Sequence, residues 1–299
     1  MFWGIDLGGT KIEGMVMTDR HPDSVIARHR IDTEAKGGYE HILSRIKLLV
    51  DHLIEMTGYR PSALGIGTPG TIDPSTGLLK NSNTLCLNGQ PVHKDLEKLL
   101  GIKIAIANDA NCFALAEYHL GAVHRQFPDA RVMFGVIMGT GVGGGVVVDG
   151  KIIGGHHGIG GEWGHMFLDE SGEDCYCGRH GCVETIISGP ALQRYYTKLT
   201  GQQKKLVDIL ATPDDPYSIE IKNRLIHFFG KGLGQIINVL DPDVIVLGGG
   251  LAHIDFLYTD GIASVAKNIF NPTLSTPILP PALGDSAGVF GAAILINEK

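Results

Sequence analysis

Phe2-Trp3-Gly4-Ile5-Asp6-Leu7-Gly8-Gly9-Thr10-Lys11-Ile12-Glu13-Gly14-Met15-Val16-Met17 is the stretch on which the fold turns. Phe2–Ile5 and Ile12–Met17 read as strands, and Asp6 to Lys11 reads as a glycine loop between them. The same plan returns in the second half. Val132–Met138 is an apolar strand, Gly139-Thr140-Gly141-Val142-Gly143-Gly144-Gly145 a glycine loop, and Val146–Val148 a return strand. Two units of one plan predict an approximate internal duplication. The expectation is two related α/β domains, each presenting a glycine hairpin to a shared cleft.

The intervening chain fits that class. Residues 24–31 read as a third strand. Ile42, Leu43, Ile46, Leu49, Val50 and Leu53 recur at helical spacing and predict an amphipathic helix over 39–56. Ala63–Gly67 reads as a buried strand ending in Thr68-Pro69-Gly70. Ile102–Ala107 is another strand, ending at Asn108-Asp109 before a helix over 110–120. Asp243–Leu247 is a further strand, ending in Gly248-Gly249-Gly250. No Pro/Ser-rich linker marks the domain boundary, so the crossover is expected within 110–130.

Composition narrows the function. With 43% apolar and 19% charged residues, the 299-residue chain can bury a large core. A formal net charge of -7 and the lack of a basic run disfavour nucleic acid and anionic membrane as partners. No apolar stretch approaches the ~20 residues of a membrane span. The start has no basic n-region, and the five cysteines are odd in number, so a reducing, cytoplasmic location is expected.

Glycine loops let backbone N–H groups converge on an anion without Cβ obstruction. Asp6–Lys11 adds a hydroxyl and an ammonium to such a nest, and Gly139–Gly145 is an uncharged one. Neither is a P-loop. Gly139, Gly141 and Gly144 satisfy G-x-G-x-x-G, but a strand follows where a dinucleotide fold needs a helix. One such loop is as easily a plain turn. Two of one plan, with a third cluster at 248–250, favour phosphate.

The second informative stretch runs from Glu162-Trp163-Gly164-His165 through Cys175-Tyr176-Cys177 to Gly181-Cys182-Val183-Glu184. Three thiolates and an imidazole suit tetrahedral Zn²⁺. A redox pair is disfavoured, because the spacing is C-x-C and C-x4-C. On spacing alone the fourth ligand is either His165 or His180, with His156 and His157 further off. The two flanking carboxylates are positioned to hold a ligand's hydroxyls. Asp109, where a strand meets a helix, is either a helix cap or a carboxylate poised to accept a hydroxyl proton.

Asp6-Leu7-Gly8-Gly9-Thr10-Lys11, Gly65-Ile66-Gly67-Thr68-Pro69-Gly70, Asn108-Asp109-Ala110-Asn111, Glu162-Trp163-Gly164-His165 and Cys175-x-Cys177-Gly178-x-x-Gly181-Cys182-x-Glu184 together resemble the ROK family of bacterial sugar kinases. The resemblance spans nearly the whole chain, and its cysteine segment is highly specific. It implies the actin-like ATPase (ribonuclease H-like) fold, with a small domain over 1–115, a large one over 116–286, and a C-terminal helix over about 287–299 packing back on the first. It implies ATP with Mg²⁺, a hexose acceptor, a structural Zn²⁺ and a homodimer. Asp109 would be the catalytic base. Gly70, Asn83, Asn108, Glu162, His165 and Glu184 would hold the sugar. Gly8, Gly9, Thr10, Lys11, Gly139, Thr140, Gly141 and Gly143 would hold phosphates, Gly249 and Gly250 the adenosine, and Asp6 the Mg²⁺. The zinc ligands would be His165, Cys175, Cys177 and Cys182. His165 would serve both tasks, one nitrogen on zinc and the other facing sugar.

Residues 80–91, Lys-Asn-Ser-Asn-Thr-Leu-Cys-Leu-Asn-Gly-Gln-Pro, most resemble the fructokinase branch, although Cys86 stands where that branch has tryptophan. Fructose phosphorylated at its 6-hydroxyl is therefore the first expectation, and an N-acetylglucosamine or N-acetylmannosamine kinase the alternative. The family also contains sugar-sensing repressors with an N-terminal DNA-binding domain. This chain enters the first phosphate strand at Phe2, which speaks against that class. Asp109 and the paired loops speak against a non-catalytic sugar binder.

Overall fold

The computed structural model describes residues 1–297. Its first sheet is built from β1 (Phe2–Leu7), β2 (Lys11–Met17), β3 (Val25–Asp32), β4 (Ala63–Thr68) and, after the small hairpin β5 (Thr71–Ile72) and β6 (Leu79–Lys80), β7 (Lys103–Asn108). The order is β3-β2-β1-β4-β7. β1 runs antiparallel to β2 and parallel to β4, and β4 is parallel to β7. The predicted stripe forms α1 (Tyr39–Thr57), which buries all six expected residues against this sheet. Gly58 ends α1 in the left-handed region, its N–H donating to the Ile54 carbonyl. α2 (Val92–Leu100) follows. α3 (Asp109–His119) starts after β7, capped by Asn108, and α4 (Ala122–Gln126) comes next.

The second sheet contains β8 (Val132–Met138), β9 (Val142–Val148), β10 (Lys151–Ile152), β11 (Val244–Gly248) and β12 (Ile278–Leu279), in the order β10-β9-β8-β11-β12. The two orders follow one plan. The earliest strand is central, the next two lie to one side, and the later parallel strands lie to the other. This is the duplication expected from residues 2–17 and 132–148. One boundary differs. β9 begins at Val142, so Val142–Gly145 is strand and the turn is Gly139–Gly141 alone. The Gly139 N–H donates to the Gly141 carbonyl, which closes the hairpin at once.

The chain divides into two compact units. The first comprises Met1–Asp129, Gly145–Gly161 and the chain from Ala282 on, and the second Ala130–Gly144 and Glu162–Pro281. Residues 116–129 and 145–161, expected in the large domain, thus group with the first unit. Between its zinc-candidate segment and β11, the second unit has α5 (Glu184–Ile187), α6 (Gly189–Thr200), α7 (Leu206–Leu210) and α8 (Pro216–Leu240), and after β11 it has α9 (Asp260–Ala266). α8 was not anticipated from the sequence. Asp215 caps it by accepting from the Ser218 N–H, and Pro216 occupies its first turn.

The chain ends in α10 (Ala287–Ile294), which packs on α3, β1 and β4. The helix was expected to reach 299, and the last two of those positions, Glu298 and Lys299, lie outside the described residues. A fully buried carboxylate secures the approach to α10. Glu117 accepts from the N–H groups of Ala122 (2.8 Å), Ala282 (3.0 Å) and Leu283 (2.9 Å). Among the described residues no helix is long and apolar enough to cross a membrane.

Candidate active site

In the first unit the β1–β2 turn is a shaped loop. The Gly8 N–H donates to the Lys11 carbonyl at 2.9 Å. Fully buried Thr33 fixes it from behind, its hydroxyl donating to the Gly8 carbonyl (2.7 Å) and its N–H to the Thr10 carbonyl (2.9 Å). Gly9, Thr10 and Lys11 are left on the exposed side. Asp6 stands at the base of this loop. Its carboxyl is pushed up to about 7, first by burial and then by the charges of Asp109 and Glu13, against the opposing pull of Arg30. Gly288 of α10 abuts it, so that a Cβ there would lie 2.9 Å from Asp6 Oδ2.

Asp109 opens α3. Burial raises its carboxyl above the ordinary aspartate range, while hydrogen bonds from the Ala110 N–H (2.8 Å) and from Asn108 oppose the rise. The Asn108 side-chain oxygen also accepts from the Ala110 N–H, and its Nδ2 donates to the Gly70 carbonyl at 3.3 Å. Gly70, at φ 83, turns back against the 80–82 backbone, where a Cβ would overlap the Lys80 carbonyl. The loop that follows carries exposed Asn83. Ser82 and Asn88 hold it by reciprocal bonds of 2.8 and 2.9 Å. Asp6, Asp109, Asn108, Gly70 and the 82–84 loop therefore converge. A Cβ on Gly9 would lie 3.6 Å from Thr84 Oγ1, which places the phosphate-candidate loop beside them.

In the second unit the Gly139 carbonyl accepts from the Gly189 N–H at the start of α6 (2.9 Å). A Cβ on Gly139 would lie 3.6 Å from the Gly250 N, so the loop at 248–250, with Gly249, adjoins the 139–141 turn. Gly143 lies in β9, and its carbonyl accepts the Trp163 indole N–H at 2.8 Å. Trp163 is buried edge-on to Phe134. Gly164 crosses β9 so closely that a Cβ would overlap the Val142 carbonyl. These contacts fasten the segment carrying Glu162 and His165 to the glycine strand. Glu184 Oε2 accepts from the Val142 N–H at 2.9 Å, tying α5 to the same strand. Thr140, Tyr176, Glu184, Ser188 and Arg194 line a cleft of about 200 Å³.

The metal candidates also converge. His165, Cys175, Cys177 and Cys182 bring one ligand atom each within 4.8 Å of one another. Cys177 and Cys182 Sγ are 3.6 Å apart, and Cys175 Sγ is 3.5 Å from His165 Nδ1. A tetrahedron with Zn–S of ~2.3 Å and Zn–N of ~2.0 Å needs separations of roughly 3.8 and 3.5 Å, so the donor set fits Zn²⁺. His180 is outside it, bonded to Asp174 (2.9 Å) and the Glu170 carbonyl. The structure thus selects His165 from the candidates that spacing left open. The other ring nitrogen of His165, Nε2, is 2.9 Å from the Tyr176 hydroxyl. Sequence reasoning missed Thr33, Gly288 and Tyr176. Only Tyr176, between two cysteines, carried a positional signal.

The ROK family model matches residues 2–299. The N-acetyl-D-glucosamine kinase of Aliivibrio salmonicida is 34% identical over 307 residues, covering 99% of each chain. That of Mannheimia succiniciproducens is 34% identical over the whole of both. Among solved structures, the ROK hexokinase from Thermus thermophilus has a TM-score of 0.87 at 30% identity, covering 98% of this chain and 97% of its own. A ROK family glucokinase from Streptomyces griseus, in complex with glucose and AMPPNP, has a TM-score of 0.80 at 26% identity over 98% of each. The expected fructokinase branch is not confirmed, since these relatives bear the name of the alternative. Cys86 in place of tryptophan was the visible departure. The duplicated sheets are those of the actin-like ATPase fold, and the chain belongs to the ROK family of sugar kinases.

Proposed function

We propose that the protein transfers the γ-phosphate of ATP to the 6-hydroxyl of N-acetyl-D-glucosamine. The observation that carries the substrate is end-to-end similarity, at 34% identity, to relatives of that name. Asp109 acts as general base. One of its oxygens is engaged by the Ala110 N–H, and the other takes the proton of the attacking hydroxyl. Burial makes this carboxylate a better proton acceptor than an exposed aspartate. Asn108, Gly70, Asn83, Glu162, His165 and Glu184 orient the sugar. Phosphoryl transfer needs positioning and charge neutralisation more than covalent chemistry. The Gly8–Lys11 loop and the Gly139–Gly141 turn supply backbone dipoles for the phosphates, and the 248–250 loop supports the adenosine.

Asp6 suits a cation, because burial and then the neighbouring charges of Asp109 and Glu13 raise its carboxyl to about 7, and a bound cation would offset both. Mg²⁺ bound there would neutralise charge on the phosphate oxygens. Zn²⁺ held by His165, Cys175, Cys177 and Cys182 would supply rigidity and no chemistry.

A coupled assay of ADP release tests the substrate. The expected kcat/KM for N-acetyl-D-glucosamine exceeds those for glucose, mannose and fructose by about tenfold or more, the range one well-bonded substituent confers. A preference for fructose would restore the other branch. No sugar-dependent ADP release across the panel would overturn the kinase reading.

A further inference from the structure

Just past the first glycine loop, β2 carries a buried carboxylate to which the proposed chemistry gives no role. Glu13 is 6% exposed. It is paired in register with Asp6 on β1 and with Arg30 on β3. Directly paired residues share a face of the sheet, so Asp6, Glu13 and Arg30 form one cross-strand row. Two guanidinium groups divide the Glu13 oxygens between them. Oε1 accepts from Arg28 Nε, and Oε2 accepts from Arg30 at 2.5 Å. Arg28 is anchored at its far end as well, donating to the buried Ser286 hydroxyl ahead of α10. Arg30 is half exposed and is held at Glu13. Its charge also acts on Asp6, the next carboxylate along the row.

We propose that Glu13 is a positioning residue that holds Arg30 away from Asp6, so that the Asp6 carboxylate stays open to the divalent cation of the nucleotide. That role rests on the Asp6 cation site proposed above. Arginine and carboxylate form strong, often bidentate pairs. Such a pair at Asp6 would occupy the oxygens that a cation needs. Arg30 and Asp6 are two strands apart, about 10 Å of sheet spacing, and an arginine side chain is long enough to close that gap. Glu13 stands between them and engages the guanidinium first. Asp285 also acts on Arg30, but it is exposed and solvent screens it. Without the Glu13 charge, the buried carboxylate left to Arg30 in the row is Asp6. Arg28 is not freed in the same way, because Ser286 retains it.

The test titrates the full-length chain with AMPPNP in a calorimeter, with and without Mg²⁺. The quantity read is the gain in affinity that Mg²⁺ confers. In Glu13→Gln this gain should fall about tenfold, within the usual range of coupling between sites. A purely structural role would weaken binding equally in both titrations and leave the gain unchanged. The double variant Glu13→Gln with Arg30→Met lacks the competitor, so its gain should return to within about threefold of the wild type. Arg30→Met alone keeps Glu13 paired with Arg28, and its gain should equal or exceed that of the wild type. This arm stands even if Glu13→Gln does not fold. An unchanged gain in Glu13→Gln, no recovery in the double variant, or a loss of about tenfold in Arg30→Met would each overturn the inference. Asp6→Asn checks the site beneath it. A gain as large as the wild type's in that variant would overturn both the Asp6 cation site and the role of Glu13.

Discussion

The two glycine hairpins share a topology and differ in chemistry. The first carries an acid at its base, Asp6, a cation at its exit, Lys11, and a dedicated support, Thr33. The second has no charge of its own. β8 ends on Ile137-Met138, its turn closes within three residues, and its carboxylate is borrowed from α5, where Glu184 reaches the Val142 N–H. A duplicated scaffold therefore does not imply duplicated tasks. The first hairpin lies beside two buried carboxyls, Asp6 and Asp109, that burial raises above the ordinary aspartate range. The second is a rigid backbone surface, and its segment 162–165 is pinned to it by Trp163 and Gly164.

If proton handling belongs to the first unit, removing its base should have the largest effect. Asp109→Asn keeps the shape and an acceptor for the Ala110 N–H but cannot take a proton. The expected loss is about 10²–10⁴ in kcat with little change in sugar KM. Steady-state kinetics with both substrates saturating measures it. A loss confined to KM would make Asp109 a helix cap and sugar ligand only.

The second expectation concerns Asp6 and has a defined sign. Its carboxyl sits at about 7 in the folded protein against an ordinary 3.8. A carboxyl that holds its proton more tightly when folded adds stability below pH ~4 and loses that advantage as pH rises toward 7. Asp6→Asn, which stays neutral, should therefore match the wild type near pH 4 and exceed it increasingly up to pH 7–8, without Mg²⁺. Three pKa units set a ceiling of ~4 kcal/mol, and solvent access makes about 2 kcal/mol the working figure. Thermal unfolding at several pH values measures the gap. A gap that is flat or closes with rising pH would refute the burial argument.

Legibility followed the same division. Strand–loop–strand plans are written locally, so both hairpins, the strand at 63–67 and the stripe of α1 were visible. The helix of α3 was legible from its position after Asn108-Asp109, although eight of its eleven residues are buried and amphipathicity could not mark it. α8 was missed because Gly230, Gly232 and Gly234 interrupt its pattern. Gly230 and Gly234 allow close approach of Ser264 and Asn268, and Gly232 faces Trp163. Thr33 and Gly288 act through contacts remote in sequence, which no local pattern encodes. The metal-candidate cluster was legible because three of its members lie within eight positions; spacing left His165 and His180 open, the family resemblance favoured His165, and the geometry agrees. The extent of the second glycine loop was misjudged for a related reason. Glycine marks a turn only where the chain turns, and Gly143–Gly145 lie in an extended strand.

The smallest effect tests the hairpins against each other directly. A Cβ on Gly9 would meet only Thr84 Oγ1, at 3.6 Å, an ordinary contact. A Cβ on Gly141 would stand 2.6 Å from Glu184 Oε2 and force that carboxylate off the Val142 N–H. The methyl meets the far end of a flexible side chain, so the fold yields at Glu184, and the loss is that of a hydrogen bond to a charged group, about 1.5–3 kcal/mol. Gly141→Ala should therefore lower kcat/KM for the sugar by about 5–100-fold, because Glu184 is displaced together with the strand it braces. Gly9→Ala should fold as the wild type does, and any loss should appear in the KM for ATP. Each variant adds a single methyl group to the wild type, at corresponding turns. If both weakened ATP binding alone, Glu184 would belong to the phosphate loop and not to the sugar. The two hairpins would then share one task after all, and the substrate-orienting carboxylate of the second unit would be Glu162.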